Sequence, residues 1–416
     1  MATGAEICAR RRARLAARLK EGVALLASPG LPTHHADVFR PDPDLYYLTG
    51  LVEHDSALAL EIRGGRIREE TAFCPPRDEV FERWNGELLG PVRTRRRLGL
   101  AAARPWSSRA EFVRASLRPD LVAWAKTADR QTASLALAGP SAGIHDLAPA
   151  LARLRMVKDR GEIAAIARSC ELAAGAQRRV LQALPAAAAE NQLQAELDHA
   201  YAAGGARHAF RPIVAAGRNA CVAHYGANRA PLRKGQLVLV DSGCELDFYV
   251  SDITRTYPVA GRFTPAQRDL YETVLAAQAQ AIRKAKPGAS FGALQRAACR
   301  ELAYGLRRMG ICRGTLPAIL ASESFGRYYF HSIGHSVGLD AHDPVDAPAG
   351  RDELKLAAGM AITVEPGLYL DGDRRVPAEL RHTGVRIEDI LAITAAGSRV
   401  LTAAAPKTVR DIEAAA

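Results

Sequence analysis

Residues 237–258 read LVLVDSGCELDFYVSDITRTYP, and this stretch decides how the C-terminal part of the chain folds. Leu237–Ser242 is an apolar, β-branched run that ends in a carboxylate, as a buried strand delivering a ligand from its end should. Asp252 follows Asp241 by eleven residues. That spacing predicts a hairpin: one strand out, a turn near Cys244–Asp247, and a strand back that brings both carboxylates to one place. Two unpaired carboxylates so close raise each other's pKa and cost stability unless a cation fills the gap. Exposed turn aspartates are the plainer alternative, and the apolar residues flanking both argue against it.

Three further residues complete a set. HSIGHSVGLDAH, residues 331–342, places three histidines within twelve residues. A helical zinc pair is disfavoured by Gly334 and Gly338. In an extended segment His331 and His335 share a face, because their separation is even. His335 can then hold metal while His331 and His342 approach substrate. Met360–Glu365 (MAITVE) is a second strand closed by a carboxylate, and Pro366–Gly367 after it form a tight turn that fixes Glu365. Glu388 lies in GVRIEDI, an alternating strand that carries Arg386 on the same face. The ordered set Asp241, Asp252, His335, Glu365, Glu388 offers four negative charges and one imidazole, which matches two divalent cations. A water or hydroxide bridging such a pair is the nucleophile of dinuclear hydrolases.

Composition sets the frame. At 416 residues the chain calls for two domains of unequal size. Its 48% hydrophobic and 24% charged residues are those of a soluble globular protein with a substantial core. No run of apolar residues is long enough to span a membrane. The basic start, with Glu6 and Glu21 in it and only Val23–Ala27 as an apolar run, reads as an amphipathic helix and not as a targeting peptide. The net charge of +11 comes mostly from scattered arginines without aromatic interleaving, which argues against nucleic acid and leaves room for anionic peptides or subunit contacts. Seven cysteines, never spaced CxxC, argue for a reducing cytoplasm and against a disulfide framework or thiolate zinc site. Cys244, close to Asp241, reads as a small buried residue.

Along the chain, Ala9–Lys20 has helical periodicity, Gly22–Ala27 and Ser56–Ile62 are strand candidates, and Gly64–Gly65 form a turn. Arg153–Lys158 reads as a boundary. A helix follows from Asp159 through Leu184, and a second over Asn191–Ala202 with Asn191 as its N-cap. Thr264–Lys284 and Ser290–Met309 are long helices between the two ligand-bearing strands.

The ligand order, together with NACVAHY, DITRTYPV, HSIGHSVGLDAHD, EPGLY and GVRIEDI, resembles aminopeptidase P (Xaa-Pro aminopeptidase) and its relative prolidase. RRARLAARL, DPDLYYLTGL and RDEVFERWNGELLGP extend the resemblance through the N-terminal half. It implies an α/β N-terminal creatinase-like domain over residues 1–155 and an α+β pita-bread catalytic domain over 156–416. It implies a pair of Mn²⁺ ions, with Asp241 on one, His335 and Glu365 on the other, and Asp252 and Glu388 bridging. Zn²⁺ or Co²⁺ should bind such a mixed oxygen and nitrogen set at least as tightly.

The resemblance also assigns roles. Glu365 would accept the proton from the metal-bridging hydroxide as it attacks the carbonyl before proline. His224 and His342 would contact the substrate carbonyl, and His331 would line the proline pocket. Arg386 is a candidate for the substrate's carboxylate or backbone on the leaving side. Trp84 reads first as a packing residue, and second as a wall lent to a neighbouring subunit in a homodimer or homotetramer. The expected substrates are peptides with proline second. Prolidase, which cleaves only the dipeptide, is the nearest alternative. A methionine aminopeptidase lacks the extra N-terminal domain, and a non-catalytic binding protein of this fold lacks the full ligand set. One departure from the family is the single Asp389 after Glu388, where an acidic pair is often found.

Overall fold

The structure is a computed structural model that describes residues 3–31, 38–126 and 143–415. It divides into two compact units, Met1–Arg155 and Met156–Ala416. The first opens with the helix Gly4–Leu19, five residues earlier than its periodicity suggests. Thr3 caps it, and a capping box with Glu6 satisfies the first free N–H groups. Behind it stands a mixed six-stranded sheet ordered Ala102–Pro105, Arg66–Cys74, Ala57–Arg63, Gly22–Ala27, Val122–Ala125, Gly143–Asp146. Gly22–Ala27 is buried along its whole length, as a central strand paired on both edges must be. Trp84 is 85% exposed on the helix Glu79–Asn85, so the expectation of a packing role within the chain is corrected.

The second unit twice sets a pair of helices against short sheets. Arg160–Ala183 starts on a capping box between Asp159 and Glu162, and Glu190–Ala203 packs beside it. Asn191 is not the N-cap. The helix begins at Glu190, where Gln192 accepts from the Ala189 N–H at 3.3 Å, and the Glu190 carboxylate is committed elsewhere. Pro265–Lys284, capped by Thr264, and Phe291–Arg308, capped by Ser290, form the second pair. Their apolar faces join the strands in one core that includes Leu181, Leu193, Val240, Leu302 and Leu391.

Two antiparallel ladders carry the expected ligands. In the first, Leu237–Ser242 lies between Ile213–Ala216 and Ile253–Pro258. The hairpin turns later than its sequence suggests, at Asp247 and Phe248. Both have positive φ, as a two-residue type I′ loop requires. Gly243 sits at the crossing of the two arms, where a Cβ would fall 1.9 Å from the Ser251 carbonyl oxygen. In the second ladder, Val364 pairs with Asp389 and Gly367 with Arg386. The register is the same on both sides of the break, so Glu365 and Glu388 face each other where the chain passes from one sheet to the next. Glu388 therefore lies between strands and not within one.

Candidate metal centre and its cavity

The ladders meet at Glu388. Its N–H donates to the Thr254 carbonyl at 3.0 Å, and the Thr254 hydroxyl donates to Glu388 Oε2 at 2.7 Å. Asp252 is the residue before Ile253, so this contact brings the hairpin's carboxylates against the paired glutamates. The segment 331–336 runs extended beside Ala361–Val364: the Thr363 hydroxyl accepts from the His335 N–H at 2.9 Å, and the Thr363 N–H donates to the His335 carbonyl at 2.8 Å. Gly334 permits this approach, since a Cβ there would lie 2.1 Å from the Thr363 carbonyl oxygen.

The five residues converge. His335 Nε2 is 3.5 Å from Asp252 Oδ2 and 3.4 Å from Glu365 Oε1. Ligand atoms of Asp252, His335 and Glu388 all lie within 4.8 Å of one another. The His335 Nδ1–H donates to the Ser336 carbonyl at 3.1 Å, which leaves the Nε2 lone pair facing the carboxylates. Burial, then His342, lowers the His335 pKa to about 3, so the imidazole is neutral and free to ligate. Burial pushes Asp252 and Glu388 well above ordinary carboxylates, with the neighbouring acids adding to it, and raises Glu365 to about 7. Asp241 Oδ1 is buried and has no hydrogen-bond partner. A buried acceptor left unmet beside three further carboxylates costs free energy that a cation would recover. Residues and chemistry fit divalent ions with a preference for oxygen ligands.

Around this centre lies a cavity of about 870 Å³. All the imidazoles expected from the sequence reach it. His342 is exposed and its ring lies 4.0 Å from that of His335, tilted by 38°. His224 is likewise exposed on a loop. His331 differs. Its Nδ1–H donates to the Ser332 carbonyl at 2.9 Å and its Nε2 accepts from the Tyr369 hydroxyl at 2.7 Å. Burial lowers its pKa to about 4, so it presents a neutral ring to the cavity and no free nitrogen.

Arg386 lines the cavity, but its guanidinium is engaged by the protein. Nη2 donates to Asp241 Oδ2 at 2.6 Å, Nη1 to the Tyr369 hydroxyl at 2.9 Å and Nε to the Thr254 hydroxyl at 3.2 Å. In this arrangement Arg386 stands behind Asp241 and orients it.

Three other groups escaped the sequence reading. Tyr369 joins His331 to Arg386, and only its place in EPGLY hints at it. Glu190 takes four hydrogen bonds, from the N–H groups of Ala216 and Ala230, the Asn219 amide and the Tyr225 hydroxyl, all within 2.8–2.9 Å. It staples both ends of the loop that carries His224. Lys158, fully buried, donates to Asp343 at 3.0 Å and to the Ser336 hydroxyl at 3.2 Å, beneath the loop that carries His335 and His342.

Residues 164–395 match Metallopeptidase family M24, and residues 8–121 match the Aminopeptidase P, N-terminal domain. Among curated proteins, the Xaa-Pro aminopeptidase of Haemophilus influenzae is 34% identical over 417 residues, covering 97% of this chain and 95% of that one. That of Escherichia coli is 33% identical over 97% of this chain and 96% of its own. Escherichia coli aminopeptidase P with the inhibitor Pro-Leu superposes with a TM-score of 0.94 at 31% identity, over 100% of this chain and 98% of that one. Proline aminopeptidase P II from Yersinia pestis gives a TM-score of 0.94 at 33% identity, over 99% of each.

Proposed function

The chain belongs to metallopeptidase family M24 and is a hydrolase of the Xaa-Pro aminopeptidase kind; we propose that it releases the first residue of peptides with proline second, using two divalent ions. The observation that carries this reading is the convergence of Asp241, Asp252, His335, Glu365 and Glu388 beneath an imidazole-lined cavity. Its architecture is the family's: an aminopeptidase P N-terminal domain followed by the pita-bread catalytic domain.

Asp241, Asp252, His335, Glu365 and Glu388 would hold the ions between them. When bound, such ions, Mn²⁺ foremost, would supply Lewis-acid polarisation of the scissile carbonyl and a water made nucleophilic at neutral pH. The side chains do the rest. His342 and His224, the exposed imidazoles, donate to the carbonyl oxygen as negative charge develops on it. Glu365 is the most open of the carboxylates, with 17% of its side chain exposed. It takes the proton from the attacking water and passes it to the proline nitrogen. That nitrogen carries no hydrogen in the substrate, so the proton it gains is what lets it leave. The rigid pyrrolidine ring packs against the face of His331. Arg386, through its short bond to Asp241, fixes that ligand at the cavity wall, where it also stands as the candidate for the leaving side's backbone or carboxylate.

The 85% exposed indole of Trp84 supports a homodimer or homotetramer in which it is covered. All seven cysteines are free, which suits a reducing cytoplasm. Among the described residues no helix is long and apolar enough to cross a membrane.

The test compares an X-Pro dipeptide with an X-Pro-Y-Z tetrapeptide after chelation and Mn²⁺ re-addition. Cleavage of the tetrapeptide, with proline left at the new N-terminus, is expected. Cleavage of the dipeptide alone would make the enzyme a prolidase.

A further inference from the structure

Four arginines line the cavity, and two of them are already committed. Arg386 is locked to Asp241 and Tyr369. Arg351 donates to the Gly334 carbonyl and lies 5.1 Å over the Phe291 ring. Arg211 and Arg229 are different. Both are exposed at the cavity, and neither has an acidic partner among the described residues. The cavity's own acids are the four expected metal ligands, whose charge two divalent ions cancel. Two uncompensated guanidinium groups therefore face whatever occupies the cavity.

Their position limits what they can meet. Ile213 pairs with Asp241, and Arg211 lies two residues before it, roughly 7 Å along an extended chain. A Cβ on Gly226 would lie 3.0 Å from Arg211 Nε, so the Arg211 side chain rests against the loop of His224, and Arg229 ends the same loop. Both arginines thus line the cavity on the side of the His224 loop, Arg211 next to the strand that pairs with Asp241. An aminopeptidase substrate carries a positive ammonium group on its first residue, which two arginines would repel. They belong on the other side of the scissile bond, past proline. Guanidinium groups pair with carboxylates in fixed, often bidentate geometry.

Resting on the proposed Xaa-Pro cleavage, we infer that Arg211 and Arg229 form a carboxylate-selecting subsite on the leaving side, so that the enzyme prefers X-Pro peptides with an anionic group just after proline. The group is either an acidic third residue or the C-terminal carboxylate of a tripeptide.

The experiment uses the Mn²⁺-loaded full chain and the amidated peptides Ala-Pro-Z-Ala with Z as Glu, Gln or Lys. The expected kcat/KM is about tenfold higher for Glu than for Lys at low salt, with Gln between, and the ratio shrinks toward one in ~0.5 M salt. Substituting Arg211→Met and Arg229→Met together should collapse the ratio to near one, while Arg→Lys at both positions keeps part of it. Ala-Pro-Ala as free acid against its amide separates the two sources of carboxylate. A native ratio near one with the neutral peptide still cleaved overturns the subsite and leaves the proposed activity standing. A ratio that survives in the Met variant also overturns it. Failure to cleave any X-Pro peptide would instead remove the activity on which the subsite rests.

Discussion

Asp241 has two oxygens with opposite fates. Oδ2 accepts from Arg386 at 2.6 Å, and Oδ1 is buried with nothing to accept from. A carboxylate built only for structure would have both oxygens satisfied, so the second marks the cation's side. His342 shows the complementary case of a group left free for substrate. Its replacement by Ala should leave metal content intact and lower kcat on the order of 10²–10³, as loss of an oxyanion donor does. Full activity with normal metal content would remove His342 from the chemistry. Lys158 makes a different claim, because it lies under the loop and not in the cavity. Each partner of the Lys158–Asp343 pair keeps only 1% of its side chain exposed. Lys158→Met would take a buried ammonium away from the buried Asp343 carboxylate and is expected to cost about 3–5 kcal/mol. Denaturant unfolding of that variant, compared with Lys158→Met/Asp343→Leu, which should recover part of the loss, measures it.

At the scale of elements, the centre exists because two antiparallel ladders cross. The Asp241–Asp252 hairpin closes only if its arms approach at Gly243, and the steric limit there is the Ser251 carbonyl oxygen at 1.9 Å from a would-be Cβ. Backbone cannot yield as a flexible side chain can. Gly243→Ala should therefore cost at least about 3 kcal/mol, at the upper end of overpacking, and weaken metal binding at the same time. Calorimetric titration of the metal-free variant with Mn²⁺ reads the second effect. Unaltered affinity would mean that the hairpin arms do not set the spacing of Asp241 and Asp252. Behind the other ladder, fully buried Arg255 donates to the carbonyls of Thr254 and Glu388 and to Asp389 Oδ1 at 2.8 Å. Lys407 holds the other oxygen of Asp389 at 2.6 Å. The single acid after Glu388 is thus spent on bracing the strand that follows the ligand.

For the whole molecule, the clustered acids make stability depend on pH in a way that metal should reverse. Glu365 has its folded pKa raised from 4.5 to about 7, and Asp252 and Glu388 stand well above their ordinary values. A carboxyl raised in this sense lends stability below its unfolded pKa and loses it as pH climbs through the folded one. His331 and His335 are lowered from 6.5 to about 4 and about 3, so their share is present above pH 6.5 and lost as pH falls toward those values. Above pH 6.5 only the carboxyls still act. The metal-free protein should therefore lose thermal stability between roughly pH 6.5 and 8, and the Mn²⁺-loaded protein should not. Parallel melting curves with and without chelator decide this. A metal-free Tm that holds steady across that range would mean the acids do not share one dry site.

Sequence by itself determined which residues hold the charge and which elements carry them. Leu237–Ser242 forms a strand with the bounds its apolar run suggests, and the long helices begin at Thr264 and Ser290 caps. These features are local: a periodic pattern, a capping side chain, a glycine turn. The same locality explains the errors. The hairpin turn and the start of Glu190–Ala203 moved by a residue or more because pairing register and a distant need for the Glu190 carboxylate outweighed local propensity. Only the tertiary structure decided that Glu365 faces Glu388, that Arg386 serves Asp241, and that Lys158 reaches a loop nearly two hundred residues away. Those assignments depend on which lone pairs and protons remain unmet once distant strands are packed together, and no spacing along the chain encodes that.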